Sequence, residues 1–212
     1  MKGRRGFFLV VEGADASGKT TLVRRLCDEC RRQGWNVTPV REPGGTFLSE
    51  KVRRILLNPA LSMNTRSELF LYLAARAQVV DEVIAPALRR GDLVIADRFS
   101  LSTFAYQIGG RRLPAPSVIS ADHLARAGLS PDLTLLLTVT SKQSAERRRT
   151  RTQKLDRIER ESPAFFRAVR AEYQSRGQGR PGIVVIDSGL GADAVYDRAL
   201  QVLNRRLKRR SD

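Results

Sequence analysis

The chain has 212 residues, 42% hydrophobic and 28% charged, which is the balance of a water-soluble globular protein able to bury a sheet and its covering helices in one domain. Lys+Arg 38 against Asp+Glu 22 gives a formal charge of +16, so the expected partners are polyanions such as nucleotides, nucleic acid or an anionic membrane surface. No apolar run reaches membrane length, residues 7–11 are too short for a signal-peptide core, and with two cysteines and one histidine four zinc ligands are hard to assemble, which argues against spanning, secreted and structural-zinc classes.

Apolar runs at residues 7–11, 37–41, 93–96, 133–139 and 183–186 alternate with helical patterns. That alternation predicts an α/β fold, a parallel sheet with helices on both faces. Pro39 has no N–H to give a ladder, so the second run belongs at an edge. Between the first run and a helix expected over 21–32 stands E-G-A-D-A-S-G-K-T-T (12–21), which fits G-x-x-x-x-G-K-[ST] over residues 13–20. Gly13 and Gly18 let the backbone curl around an anion, and the following helix adds its positive N-terminal potential. Gly13, Ala14, Asp15, Ala16, Ser17, Gly18, Lys19, Thr20 and Thr21 are therefore the expected cradle of a nucleoside triphosphate. Lys19 would bridge the outer phosphates, and the Thr20 hydroxyl would ligate magnesium. Cys27 and Cys30 fall inside the helix, where buried free thiols fit a reducing cytoplasm better than redox chemistry.

The first helix should stop near Gly34, and R-E-P-G-G-T (41–46) should turn the chain into a short helix that carries Arg53 and Arg54 and runs through Leu57. Thr65-x-x-Glu68 reads as a capping box opening a long helix towards Arg90, with Pro86 kinking it or ending its regular part. The third strand closes on Asp97-Arg98-Phe99, and an aspartate there is the usual partner of a phosphate loop in orienting the magnesium shell. Residues 141–161 crowd charges of both signs around few apolar anchors, so a mobile cover is expected at about 147–160. Ser162-Pro163 should open a helix with the apolar face Phe165, Phe166, Val169 and Tyr173, and a final helix carries Val195, Ala199, Leu203 and Leu207. Without a repeat or a long linker, residues 1–212 read as a single domain.

Taken in order, G-A-D-A-S-G-K-T, R-E-P-G-G-T, L-A-A-R (73–76), D-R-F (97–99), A-Y-Q (105–107) and L-D-R-I-E (155–159) resemble the thymidylate kinase family across residues 7–173. The phosphate loop is shared with many unrelated enzymes, but the ordered set is specific. The resemblance implies a P-loop NTPase-type three-layer fold with strand order 2-3-1-4-5. It also implies transfer of the γ-phosphoryl group from ATP to dTMP with Mg2+, and a homodimer. The loop residues 13–21 become the ATP site, and Thr20 and Asp97 the metal site.

The acceptor-site residues make chemical sense in these roles. Tyr72 and Arg76 are four apart on one helix, so a ring that stacks on a pyrimidine and a guanidinium that reaches its O4 share a face. The family generally has Phe at the position of Tyr72. By resemblance, Thr103 and Gln107 sit at the base edge, Tyr106 crowds the sugar C2′, Asp15 takes the 3′-hydroxyl, and Arg53 and Arg98 hold the dTMP phosphate. Lys19, Asp97 and Arg98 are then the catalytic set, completed by a lid arginine. One subgroup of the family carries that arginine in the loop, where this chain has Ala16, and the other carries it where this chain has Thr152. Arg149 or Arg151 is therefore expected to serve. Arg147 or Arg148 and the turn after Asp187 are the expected adenine neighbours. Two other readings stand beside this one: a kinase of another nucleoside monophosphate or a deoxynucleoside, and a nucleic-acid-binding P-loop protein motivated by the +16 charge and the Arg205–Arg210 tail. An uncharged 5′-hydroxyl would leave Arg53 and Arg98 unpaired. No stacking platform interleaves with the basic clusters, so no membrane or specific nucleic-acid partner is expected.

Overall fold

A computed structural model describes residues 6–149 and 155–208, with backbone alone at positions 142, 145, 148 and 149. Strands β1 (Phe7–Gly13), β2 (Val37–Arg41), β3 (Leu93–Asp97), β4 (Leu133–Thr138) and β5 (Ile183–Asp187) form one parallel sheet in the order β2-β3-β1-β4-β5. Every residue of β1 and β3 is buried, whereas β2 and β5 are half open. The strand with Pro39 lies at the edge, as its missing donor requires.

Alternate residues of β1 serve opposite layers, the period-two consequence of the pleat. Phe7, Leu9 and Val11 pack with Leu22 and Leu26 of α1 (Lys19–Arg32) and with Val195, Ala199, Leu203 and Leu207 of α9 (Ala192–Lys208). Phe8 and Val10 face the other way, onto Val79, Val80, Ile84, Leu88 and Phe99. Each fully buried Leu or Phe contributes roughly 1.5–3 kcal/mol. Between β2 and β3 run α2 (Phe47–Leu57), α3 (Thr65–Val79), a π-helical turn (Val80–Ile84) and α4 (Ala85–Arg90). After β3 come α5 (Ser100–Thr103), a second π-helical segment (Phe104–Gly110) and α6 (Ala115–Ala125), and after β4 come α7 (Ser141–Arg149) and α8 (Pro163–Gly177). No helix among the described residues is long and apolar enough to cross a membrane.

Several local expectations hold and one fails. Ser162 accepts from the Phe165 N–H at 3.2 Å with Pro163 in the first turn, and Phe165, Phe166, Val169 and Tyr173 are buried. The regular part of the long helix ends before Pro86, in a π turn. Proline has no N–H for the Glu82 carbonyl, and the wider turn absorbs that loss. The capping box at Thr65 is corrected: Asn64 is the cap, its side chain accepting from the Arg66 N–H at 2.8 Å. Glu68 is thereby released from the helix end and lies 1% exposed inside the protein. Of the expected cover, residues 150–154 lie outside the described residues, and at its end Ile158 is buried against Phe165, Phe166 and Val169.

Candidate active site

The sheet's topology brings the two halves of a phosphate site together. In the register, Val11 of β1 stands beside Asp97 of β3, so the loop leaving β1 meets the carboxylate that ends β3. Gly13 has φ 143°, and a Cβ there would lie 2.4 Å from the Leu137 carbonyl oxygen, so only glycine fits. Gly18, at φ 92°, turns the chain into α1. Lys19 is buried, with Nζ donating to the Ala14 carbonyl at 2.8 Å. Burial, with the Arg98 charge adding to it, brings its ammonium down from 10.5 to about 8.

The Thr20 hydroxyl donates to Asp97 Oδ2 at 2.6 Å. These are hard oxygens at the mouth of a phosphate cradle, the donor set that suits magnesium. Among the described residues no group of three or more His, Cys, Asp or Glu could cage a metal. Magnesium held by one or two protein oxygens together with substrate phosphates needs no such cage.

Beside the loop opens a cleft of about 670 Å³ including its mouth. Asp15, Arg53, Tyr72, Arg76, Arg98, Thr103, Tyr106 and Gln107 all line it, so the sequence-predicted acceptor set is brought together in one place. Asp15 joins the two sites: Oδ1 accepts from Arg98 Nη2 at 2.5 Å and Oδ2 from the Tyr106 hydroxyl at 2.8 Å. Arg98 itself has φ 80°, and its Nη1 reaches the Gly13 carbonyl, Ser102 Oγ and the Tyr173 hydroxyl. Burial holds both tyrosine hydroxyls well above their ordinary range, so they remain donors. Arg53 donates to the Pro43 carbonyl at 2.9 Å and makes no salt bridge among the described residues.

A framework of buried carboxylates lies behind these groups, and reading the sequence missed it. Glu42 Oε2 accepts from Arg76 Nε at 2.8 Å and from Nη2, while Asp122 Oδ1 and Thr103 Oγ1 accept from Nη1. Two carboxylates therefore hold the guanidinium of a residue that is 3% exposed. Glu12 accepts from the Phe99 and Ser102 N–H groups, Ser102 Oγ and the Tyr173 hydroxyl, fixing the turn that carries Arg98. Glu12 had a sequence signal, an acid closing an apolar strand. Asp122 had none, since nothing in a helix sequence says which partner lies across from it.

On the nucleotide side, α7 docks on the phosphate loop. Ser144 Oγ donates to the Asp15 carbonyl at 3.1 Å, and Arg147 donates to the Ala16 carbonyl at 3.3 Å and to the Ser188 carbonyl at 2.7 Å. Arg147 thus sits between the loop and the turn after Asp187, where an adenine neighbour was expected. The side chains of Arg148 and Arg149, and the whole of Arg151, lie outside the described residues.

A phosphate loop and an arginine-lined cleft, meeting through Asp15 at the carboxyl ends of a 2-3-1-4-5 parallel sheet, define a nucleoside monophosphate kinase, a phosphotransferase. The thymidylate kinase family model matches residues 11–198. The chain is 39% identical over 201 residues to the thymidylate kinase of Thermosipho africanus, covering 95% of this chain and 99% of that protein. It is 42% identical over 199 residues to that of Neisseria meningitidis serogroup A, covering 93% and 96%. The crystal structure of thymidylate kinase from Ehrlichia chaffeensis superposes with a TM-score of 0.77 at 28% identity, over 94% of this chain and 99% of that one. The chain belongs to the thymidylate kinase family.

Proposed function

We propose that the protein transfers the γ-phosphoryl group of ATP to dTMP, giving dTDP and ADP. The observation that carries this reading is a single cleft, opening at the phosphate loop, in which an aromatic ring, Tyr72, stands with a guanidinium, Arg76, and an amide, Gln107. Tyr72 stacks on the pyrimidine. Arg76 uses four of its five N–H groups on Glu42, Thr103 and Asp122, and the remaining one, on Nη2, donates to O4. Asp15 accepts from the 3′-hydroxyl and keeps Arg98 oriented until the acceptor phosphate arrives. Arg53 and Arg98 then hold that phosphate in line with the donor.

No side-chain nucleophile is needed, because positioning and charge neutralisation supply the catalysis. The backbone of residues 13–20 wraps the triphosphate, and Lys19 exchanges the Ala14 carbonyl for the outer phosphate oxygens. Thr20 and Asp97 would hold the magnesium, which would supply neutralisation of phosphate charge. Arg149 or Arg151, from the lid, stabilises the transferring group; replacing both with Ala and finding kcat unchanged would exclude that role. ATP-driven turnover of dTMP, dUMP, dCMP, AMP and thymidine, followed by ADP release, tests the acceptor assignment. Best turnover with thymidine overturns it.

The protein works in the cytoplasm as a homodimer. Cys27 and Cys30 are free and buried, with thiols that burial pushes up to about 11 and about 12, as suits a reducing compartment. Phe47 and Ile55 on α2, Phe70 on α3, and Leu124 on α6 are exposed on helices that pack side by side, an apolar face a second copy would cover. Light scattering of the wild type and of Phe70→Glu decides it: a wild-type monomer overturns the dimer.

A further inference from the structure

Glu68 stands in the first turn of α3, 1% exposed, and outside the lining of the substrate cleft. Its Oε1 accepts from Gln107 Nε2 at 2.8 Å and Arg111 Nε at 2.9 Å, and its Oε2 from Arg111 Nη2 at 2.9 Å and Arg157 Nη1 at 2.7 Å. Four donors fill the four lone-pair positions of a carboxylate. Although burial works against its charge, hydrogen bonds from Arg111, Gln107 and Arg157 hold it below the ordinary carboxylate range. At neutral pH it is an ion that can only accept.

An acceptor-only neighbour decides which way an amide points. With Gln107 Nε2 committed to Glu68, Oε1 is left on the other side, buried, without a hydrogen-bond partner, in a residue that lines the cleft. The flipped amide would set its oxygen against a carboxylate oxygen, so that state is closed. A pyrimidine edge reads this polarity directly: thymine presents N3–H, a donor, where cytosine presents a bare N3, an acceptor. Oε1 pairs with the first and repels the second.

We infer that Glu68, without touching the substrate, is the positioning residue that makes the site choose a thymine over a cytosine nucleotide, by locking the Gln107 amide with its oxygen towards the base. The inference rests on the dTMP reading above. Arg111 and Arg157 are part of the same device, because they keep the carboxylate charged. Arg157 also donates to the Leu56 carbonyl at 2.7 Å, and this fixes where Glu68 can stand.

The test is the ratio of kcat/KM for dTMP to that for dCMP in the wild type and in Glu68→Gln, an isostere whose own NH2 can donate to Gln107 Oε1 and so admit the flipped amide. The ratio should narrow about tenfold or more, with KM rising for dTMP and falling for dCMP while kcat for dTMP moves little. Gln107→Met, which removes the amide and keeps Glu68, should narrow the ratio as well, and the double variant should go no further than either single. If Glu68→Gln does not fold, Glu68→Asp carries the test: it keeps the charge for the arginines, withdraws it from Gln107, and should narrow the ratio too. A merely structural role lowers both substrates in parallel and leaves the ratio unchanged, and that result overturns the inference while leaving the dTMP reading intact. A wild type that does not phosphorylate dTMP overturns both.

Discussion

The ammonium of Lys19 is held in the fold at a measurable cost. Its descent from 10.5 to about 8, at about 1.4 kcal/mol per pH unit, means that charging it disfavours the nucleotide-free protein by about 3 kcal/mol. Below pH 8 both folded and unfolded chains carry the proton, and the whole penalty applies. Between pH 8 and 10.5 the unfolded chain keeps a proton that the folded chain has released, so this group makes stability rise with pH. Lys19→Met removes the titration and keeps an unbranched stem. At pH 7 the variant, relieved of about 3 kcal/mol and missing one hydrogen bond to Ala14 of about 1 kcal/mol, should be about 2 kcal/mol more stable than the wild type. Urea denaturation of both proteins at pH 7, 8, 9 and 10 should show the wild type gaining about 2–3 kcal/mol on the variant across the range. Phosphates reverse the penalty by favouring the charged form. Triphosphate affinity of the wild type should therefore fall about tenfold per pH unit above pH 8, and calorimetry should find that of the variant weak and flat. A stability gap that stays constant from pH 7 to 10 refutes the reasoning.

Asp97→Asn leaves the Thr20 hydroxyl without its charged partner. It should lower kcat about 100-fold or more and raise the magnesium concentration for half-maximal turnover, both read from a magnesium titration of ADP release. Arg76→Met strands Glu42, 5% exposed at the side chain, and leaves Asp122 with Arg126 as its remaining ion-pair partner among the described residues. It should cost about 3–5 kcal/mol in urea denaturation, and adding Glu42→Gln should recover most of the loss. Gly13→Ala meets the Leu137 carbonyl at 2.4 Å in a backbone conformation that side chains rarely adopt. ATP binding should be lost in calorimetry, together with about 2 kcal/mol or more of stability.

What the sequence made legible follows from what periodicity encodes. Buried strands are continuous apolar runs, a glycine loop before a lysine turns a strand into a helix, and proline cannot join a ladder, so the sheet, the strand–loop–helix at its centre and the edge strand were readable. The strand order and the acceptor residues came through the resemblance, and the cleft gathers those residues. The carboxylates behind them were not readable. Glu68 looked like a helix cap because Thr65-x-x-Glu68 fits the pattern of one, and only the tertiary fold reveals that Asn64 takes the cap and two arginines claim Glu68. The π-helical segments are also silent in composition: one wider turn changes which residues share a face without changing the residues themselves.

The arginines of the cleft differ in how much of their charge is cancelled, and the differences suit the role proposed for each. Arg76 stands between Glu42 and Asp122, and Asp122 is shared with Arg126, so Arg76 offers a donor with its charge offset. That suits an uncharged base, where a bare guanidinium would attract any anion. Arg98 makes its salt bridge among the described residues with Asp15, a group that also belongs to the phosphate loop. Arg53 has a carbonyl for a partner and no salt bridge among the described residues, and burial together with neighbouring Arg41 lowers its pKa against the pull of Glu50 and Asp156, the sign of a cation held in an uncomfortable place. A dianionic phosphate relieves that discomfort and a neutral hydroxyl does not. Charge offset by a contacting carboxylate therefore falls from Arg76 through Arg98 to Arg53, and a monophosphate of an uncharged base, oriented as proposed, is the ligand that such a gradient favours.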